Sequence, residues 1–189
     1  MKRLALATVL LLTACGTAPT TPPATTVSAA VKAPGNHNDT DTMYLQMMIA
    51  HHEQGLEMVR LAEDKATRAD LKTLAAAVDA TQSDEDTLMK TWLTDWQQPT
   101  TVDHAPSAHA DHGGLPATGP EEIAALKKAT GKDFETAFLN LFVAHQHNAV
   151  EMATLETTDG TNEEAKALAT RIRQSRTDQI QQMLTMLNS

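Results

Sequence analysis

The chain carries an internal duplication, and this feature constrains its fold more than any other. When residues 41–95 are placed against residues 135–189 without a gap, 15 of the 55 positions are identical at a single offset of 94. The identical pairs include Leu45/Leu139, Ala50/Ala144, His51/His145, Met58/Met152 and Thr67/Thr161. Such a repeat predicts two copies of one supersecondary unit, related by a pseudo-twofold axis.

Each repeat has the apolar periodicity of a helical hairpin. In the first repeat this periodicity runs from about residue 40 to residue 64, and Asn38 or Asp39 is available as its N-cap. It resumes after Thr67, whose hydroxyl is predicted to cap the second helix, and Thr161 is predicted to do the same in the second repeat. Each repeat therefore predicts two antiparallel helices.

The two hairpins are expected to close into one domain over residues 38–189. Pro120 and Gly131 bracket a short extra helix as its opening and closing residues. The connection from about residue 99 to residue 119 is long for a bundle and rich in Pro, Gly and His. Because no segment shows sustained strand alternation, the predicted fold class is all-α, an antiparallel four-helix bundle with one extra short helix.

The first residues indicate export. A basic start is followed by an apolar run too short to span a bilayer, and Leu12-Thr-Ala-Cys15 resembles a bacterial lipobox. We therefore expect a lipoprotein signal peptide over residues 1–14, lipidation of Cys15 and a flexible tether over residues 15–37 that holds the protein at the cell envelope. An ordinary signal peptide with another cleavage site is the alternative.

Charge and cysteine content limit the partners. The formal net charge of −9 becomes −11 without residues 1–14, which disfavours binding to nucleic acid or to anionic headgroups, so the lipid is the only expected membrane contact. Cys15 is the only cysteine, so its lipidation leaves the mature fold without a thiol. A site for a soft metal would then depend on methionine sulfur together with imidazole.

A helical projection places methionines beside a histidine in the stretch from Tyr44 to Met58. At 100° per residue, Met47, Met48 and Met58 share the face of His51, and His52 lies on its flank. The partner helix has Gln82, Glu85 and Met89 along one stripe. We expect Gln82 or Glu85 to orient His51 by hydrogen bonding, as outer partners of ligating histidines do.

Both features also have a structural interpretation. Methionines at helical spacing often fill a core, and a buried histidine often pairs with a carboxylate. The second repeat keeps only His145 and Met152 from the pattern, so a site would lie mainly on the first repeat and be completed by His145. In the connection, His104, His109 and His112 form either a weak Cu(II) or Zn(II) site or a solvated loop.

The chain resembles the domain-of-unknown-function 305 family over residues 38–189. The resemblance rests on the run from Met47 to Met58, which is similar to the family's MMIPHH-type motif, and on the run from Gln82 to Leu93. It implies a ferritin-like bundle, export and, as in some members, copper binding through Met and His. The ligands that it implies here are Met47, Met48, His51, His52 and Met58, with Met89 nearby.

Three functions compete at this point. The first is an extracytoplasmic lipoprotein that binds copper, with Cu(I) favoured, and buffers or delivers it to an unknown protein partner. The second is a diiron or other redox enzyme, which the sequence disfavours because diiron bundles need Glu-x-x-His and the sequence has none. The third is a metal-free structural or interaction module in which His, Glu and Gln form a core hydrogen-bond network. No catalytic motif is found, so we expect no enzyme.

Overall fold

The structure is a computed structural model that describes residues 35–101 and 118–189. The described residues form helices and no strand, which confirms the predicted all-α class. The helices are α1 (Asp39–Lys65), α2 (Ala69–Asp95), α3 (Pro120–Lys128), α4 (Gly131–Asp159) and α5 (Glu163–Leu187). The predicted signal peptide, Cys15, all but the end of the tether, and His104, His109 and His112 lie outside the described residues. Over the described part, none of the helices has the length and apolarity needed to cross a membrane.

Two of the predicted helix boundaries are set by local sequence. Asn38 caps α1: its side chain accepts from the Asp41 N–H at 2.9 Å, and its own N–H donates to the Asp41 carboxylate at 2.7 Å. Pro120 is the first residue of α3, as expected. Gly131 does not close that helix. It begins α4 with a φ of 54°, a left-handed conformation that glycine adopts without strain.

The prediction that Thr67 and Thr161 cap their helices is wrong. The N-cap of α2 is Arg68, which makes no side-chain cap bond, and the N-cap of α5 is Asn162, whose side chain accepts from the Ala165 N–H. Both threonines instead donate to a carboxylate of the opposite hairpin. A tertiary contact has replaced the local one.

These contacts form a reciprocal clasp between the hairpins, which we call the carboxylate clasp. The Asp41 carboxylate accepts from the N–H and the hydroxyl of Thr161 and from the next N–H along the chain. Glu135, 94 positions after Asp41, accepts the same three bonds from Thr67 and its successor. Desolvation raises the pKa of each carboxyl, but these hydrogen bonds outweigh it, and both pKa values are lowered. The clasp repeats with the sequence and fixes the pseudo-twofold arrangement.

One carboxyl near the clasp has no counterpart in the other repeat. Glu156 is fully buried beside Asp41, and Ala62 takes its place in the first repeat. Burial, and then the neighbouring Asp41, raise the pKa of Glu156 to about 9, so it is protonated at neutral pH. The two ends of the bundle therefore differ in charge chemistry.

The helices of each hairpin pack against one another, and the hairpins meet through α1 and α4. The clasp joins the start of α1 to the end of α4, and the end of α1 to the start of α4, so these helices are antiparallel. Two apolar clusters fill the interior. The Tyr44 cluster includes Tyr44, Leu45, Met48, Met89, Trp92 and Ile172, and the Phe138 cluster includes Met58, Val59, Val78, Phe138, Phe142 and Met183.

Candidate metal centre

Between the two apolar clusters lies a buried layer of polar side chains, contributed by all four long helices. We call it the polar layer. Its members are 0 to 8 % exposed, although polar and charged groups are seldom buried so completely unless they are paired. They are His51 and His52 of α1, Gln82 and Asp86 of α2, His145 and Gln146 of α4, and Arg176 of α5.

At the centre of the layer the two histidines related by the repeat stack on each other. The ring centroids of His51 and His145 are 3.6 Å apart, with 14° between the ring planes. The Nε2 of His51 lies 2.9 Å from the backbone carbonyl of His145. Because a carbonyl only accepts, this bond requires the Nε2–H tautomer and leaves a lone pair on Nδ1. His51 therefore has the form in which a backbone carbonyl orients a ligating imidazole.

The His51 ring is also kept neutral. Desolvation by burial, followed by the neighbouring His52, lowers its pKa to about 3. Its Nδ1 is buried and has no hydrogen-bond partner among the described residues. A buried lone pair without a donor is uncommon in a core that is purely structural.

His145 is held by a residue that sequence reasoning missed. Its Nδ1 lies 3.0 Å from the hydroxyl of Thr118, at the end of the connection, and its Nε2 has no partner within the described part of the chain. Gly55 makes the close approach possible, since a Cβ there would lie 2.7 Å from the Gln82 amide oxygen and 2.9 Å from His145 Nε2. Both atoms of the Gln82 amide also lack a partner among the described residues.

His52 is in a different position, because both of its nitrogens are engaged. Nδ1 donates to the Asp86 carboxylate at 2.8 Å, and Nε2 accepts from Arg176 Nη2 at 3.2 Å. The same Nη2 donates to Glu85, whose carboxylate lies 3.5 Å from His52 Nε2. Burial, then Arg176 and Lys90, hold the pKa of His52 well below its ordinary value. His52 is fully buried, so the side of the helix that flanks His51 also faces the core.

The expectation that Gln82 or Glu85 orients His51 by a hydrogen bond is therefore wrong. The group bonded to His51 is the His145 carbonyl, and Glu85 bonds Arg176 and faces His52. The physical reason is charge: a buried carboxylate is stabilised more by a guanidinium than by a neutral imidazole. Arg176 could have been suspected from the repeat, since it stands at the position of Gln82.

The structure separates the predicted methionines into two groups. Met48 and Met89 are buried in the Tyr44 cluster, against which Met152 packs, whereas Met58 is buried in the Phe138 cluster. Met47 is half-buried. Met48 and Met58 are ten residues apart, which on a helix is about 15 Å along the axis, so they cannot bind the same ion. Met48 and Met58 are both buried on the core side of α1, but they cannot belong to a single metal site.

The polar layer does not present a completed coordination sphere. Among residues 35–101 and 118–189, no three side chains of His, Cys, Asp or Glu are grouped so that they could hold a metal ion. An ion bound by an imidazole lies near the ring plane, and the nearly parallel planes of His51 and His145 do not meet at a common ion. Binding through both rings would need them to unstack.

The chain belongs to a known family. The model of the domain of unknown function (DUF305) family matches residues 41–187. A DUF305 protein from Streptomyces coelicolor, described as secreted, is 27% identical with a TM-score of 0.73 and covers 79% of this chain and 92% of its own. A DUF305 fragment from Deinococcus radiodurans shares the fold, at 23% identity and a TM-score of 0.70, over 82% of this chain and 99% of its own.

A third similar protein has been solved with metal. CopM in the Cu(I)-bound form is 26% identical, with a TM-score of 0.65, and covers 80% of this chain and 97% of its own. CopM has also been solved in Cu(II)-bound and Ag-bound forms. Comparison with functionally curated proteins found no match.

Proposed function

We propose that this DUF305 protein is an extracytoplasmic copper-binding protein that holds Cu(I) on the first hairpin for buffering or delivery. The ligands proposed are Nδ1 of His51 and the thioethers of Met47 and Met48, with Met89 able to complete the site. His145 would join them only if its ring separated from the His51 ring, on which it stacks. The observation that carries this proposal is the buried Nδ1 lone pair of His51. The His145 carbonyl orients this ring, and no donor among the described residues bonds to Nδ1. The role is binding and not catalysis.

The donor set favours a soft monovalent ion. Met47 and Met48 lie four and three residues before His51, so their side chains reach the turn adjacent to the ring. Thioethers are neutral, and the lowered pKa of His51 keeps the imidazole neutral as well. A neutral set in a buried layer does not offset the charge of a divalent ion, whereas sulfur and imidazole suit Cu(I). The Cu(I)-bound and Ag-bound forms of CopM support the same choice.

Other residues of the initial hypothesis take lesser roles. Met58 lies beyond the polar layer from Met48, and His52 is committed to Asp86 and Arg176. Met152 packs on the Tyr44 cluster and is at most a peripheral ligand. We further propose export, lipid attachment at Cys15 and weak Cu(II) or Zn(II) binding by His104, His109 and His112. These three features rest on the sequence.

A competition titration tests the proposal. The mature chain from residue 15, with Cys15→Ser to remove the thiol, is titrated with Cu(I) against a chromogenic chelator. We expect one tight equivalent, with affinity reduced by more than about tenfold in Met47→Leu/Met48→Leu and in His51→Gln. Met58→Leu is the matched control, with the same exchange on the same helix, and should bind as the parent does. Equal affinity in all four proteins would refute the proposed site.

A metal-free interaction module is the second candidate. It is favoured by the set formed by His52, Asp86, Glu85 and Arg176, in which both ring nitrogens, both carboxyl groups and the guanidinium find a partner without an ion. If that is the whole role of the layer, Cu(I) affinity will not exceed that of a His-containing peptide. Partner capture through the exposed faces of the helices would then be the next experiment.

A further inference from the structure

Arg176 is a cation built into the polar layer. It is fully buried, and its Nη2 lies between two acceptors, His52 Nε2 at 3.2 Å and the carboxylate of Glu85. A guanidinium at such a depth is found only where counter-charges hold it. Its counterpart in the first repeat is the neutral Gln82. The cation is thus a property of one half of the bundle only.

Two of the groups around this guanidinium have the separation of a pair of metal ligands. His52 Nε2 and Glu85 Oε2 are 3.5 Å apart. Two ligands about 2.1 Å from a tetrahedral Zn(II) lie about 3.4 Å from each other, which is nearly the same separation. Behind His52, Nδ1 donates to the Asp86 carboxylate at 2.8 Å, and a carboxylate behind the ring is what orients histidines on zinc. In this structure the guanidinium nitrogen Nη2 contacts both of these atoms.

We propose that Arg176 is a specificity-determining residue that fills a latent divalent-ion site formed by His52 and Glu85, and so excludes ions such as Zn(II) from the polar layer. Because the Arg176 guanidinium, a cation that is part of the chain, blocks this site, the donors that remain available to an ion are the neutral ones around His51. The inference deepens the proposed function, on which its biological meaning rests. The latent site itself rests only on the geometry of His52, Glu85, Asp86 and Arg176.

A ligand-field experiment tests the inference directly. Co(II) and Zn(II) are added to the mature chain with Cys15→Ser, to Arg176→Gln, which installs the residue of the first repeat, and to Arg176→Gln/His52→Gln. We expect Arg176→Gln to bind one additional Zn(II) at least about tenfold more tightly than the parent, with visible Co(II) bands of low coordination number. The His52→Gln exchange, which installs the residue found at 146, should abolish the gain. Any Zn(II) or Co(II) bound by His104, His109 and His112 is the same in all three proteins and does not affect the comparison between them.

If Arg176→Gln is unfolded without metal, Zn(II) binding is tested through refolding. Zn(II) should restore the helical circular dichroism of Arg176→Gln but not that of Arg176→Gln/His52→Gln, because a metal that binds only the folded form stabilises it. A folded Arg176→Gln that gains no Zn(II), or an unfolded one that Zn(II) does not restore, overturns the inference. Failure of the parent protein to bind Cu(I) would refute the proposed function and leave this result unaffected.

Discussion

The two hairpins share a backbone plan but differ at the middle of the bundle. At positions that hold the ends together they match: Asp41 and Glu135 accept the same three bonds from Thr161 and Thr67 and the residues after them. At the polar layer they diverge, and four residues of the first repeat are replaced. His52, Gln82, Glu85 and Asp86 become Gln146, Arg176, Gln179 and Ile180.

This difference shows where the fold and the chemistry are encoded. His51 and His145 are related by the repeat and stack near the pseudo-twofold axis, yet their polar contacts are not equivalent. His51 is bonded to a backbone carbonyl, whereas His145 meets the hydroxyl of Thr118. The charged set around His52 uses one residue of the second repeat, Arg176, and so occurs once within the two repeats, which the structure describes in full. The duplication supplies the frame, and its departures supply a single, asymmetric centre.

The largest effect on stability is expected at Arg176, the charge that the first repeat lacks. Arg176→Leu should cost about 3–5 kcal/mol, because Glu85, whose side chain is only 13 % exposed, would lose its counter-charge. Urea unfolding followed by circular dichroism measures the loss. Arg173→Leu, on an exposed face of the same helix, is the control and should change stability by less than about 0.5 kcal/mol. Similar small losses for both would mean that the guanidinium does not hold the layer.

Substitutions in the carboxylate clasp test whether the two ends of the bundle, where the repeats match, contribute equally to stability. Asp41→Ala and Glu135→Ala should each lower the free energy of unfolding by about 2–3 kcal/mol, since each strands three donors of the opposite hairpin. Asp41→Ala also removes the carboxylate beside Glu156, so Glu135→Ala should cost at least as much. A negligible loss in either variant would show that the clasp is not shared by the two ends.

Glu156 sharpens the comparison through pH, because Ala62 replaces it in the first repeat. Its pKa is raised to about 9 in the folded protein, so the folded state keeps a proton that the unfolded chain releases above its ordinary pKa of 4.5. Stability from this group is therefore present below pH 4.5 and is lost as the pH rises towards 9.

Glu156→Gln should remove this dependence. Between pH 5 and pH 8 the variant should gain about 1–3 kcal/mol of stability relative to the parent, a range set below the full linkage value because Glu156 and Asp41 titrate as a coupled pair. Unfolding free energies of both proteins at the two pH values provide the measurement. Parallel pH profiles for parent and variant would contradict the buried, protonated state of Glu156.

The smallest effects on stability are expected for the two methionines on either side of the polar layer. Met48→Leu and Met58→Leu conserve volume and should each change the unfolding free energy by less than about 1.5 kcal/mol. Thermal unfolding without metal is the check. If both are small, a difference between them in Cu(I) affinity reports on ligation and not on folding. A larger loss at Met48 alone would remove that interpretation.

Much of the fold was predictable, because its determinants are local or repeated. The duplication predicts the two hairpins, and the box of Asn38 and Asp41 sets the start of α1. Thr67 and Thr161 were misassigned because their partners lie 68 and 120 residues away along the chain. No local pattern shows whether a hydroxyl caps its own helix or bonds to a distant carboxylate.

The residue types of the candidate site were predictable, but not which of these residues lie close enough together to act on one ion. A helical projection shows the angle of each side chain around the axis but not its position along the axis. Met48 and Met58 therefore share a face in the projection, although they lie about 15 Å apart along the helix. The same projection placed His52 on the flank of the His51 face, but it could not show that Asp86 and Arg176 pack against that side and bury it. The pairing of Arg176 with Glu85 joins two repeats, and the sequence pattern within one repeat does not contain it.

The central claim is that the adjacent histidines have different roles, with His51 open to Cu(I) and His52 committed to its neighbours. Long-range ¹H–¹⁵N spectra of the imidazole nitrogens, recorded during Cu(I) addition, test it most directly. Before metal, His51 should show a protonated Nε2 and an unprotonated Nδ1. We predict that Cu(I) shifts Nδ1 of His51 and leaves both nitrogens of His52 unchanged. Shifts at His52 with His51 unaffected would contradict the account.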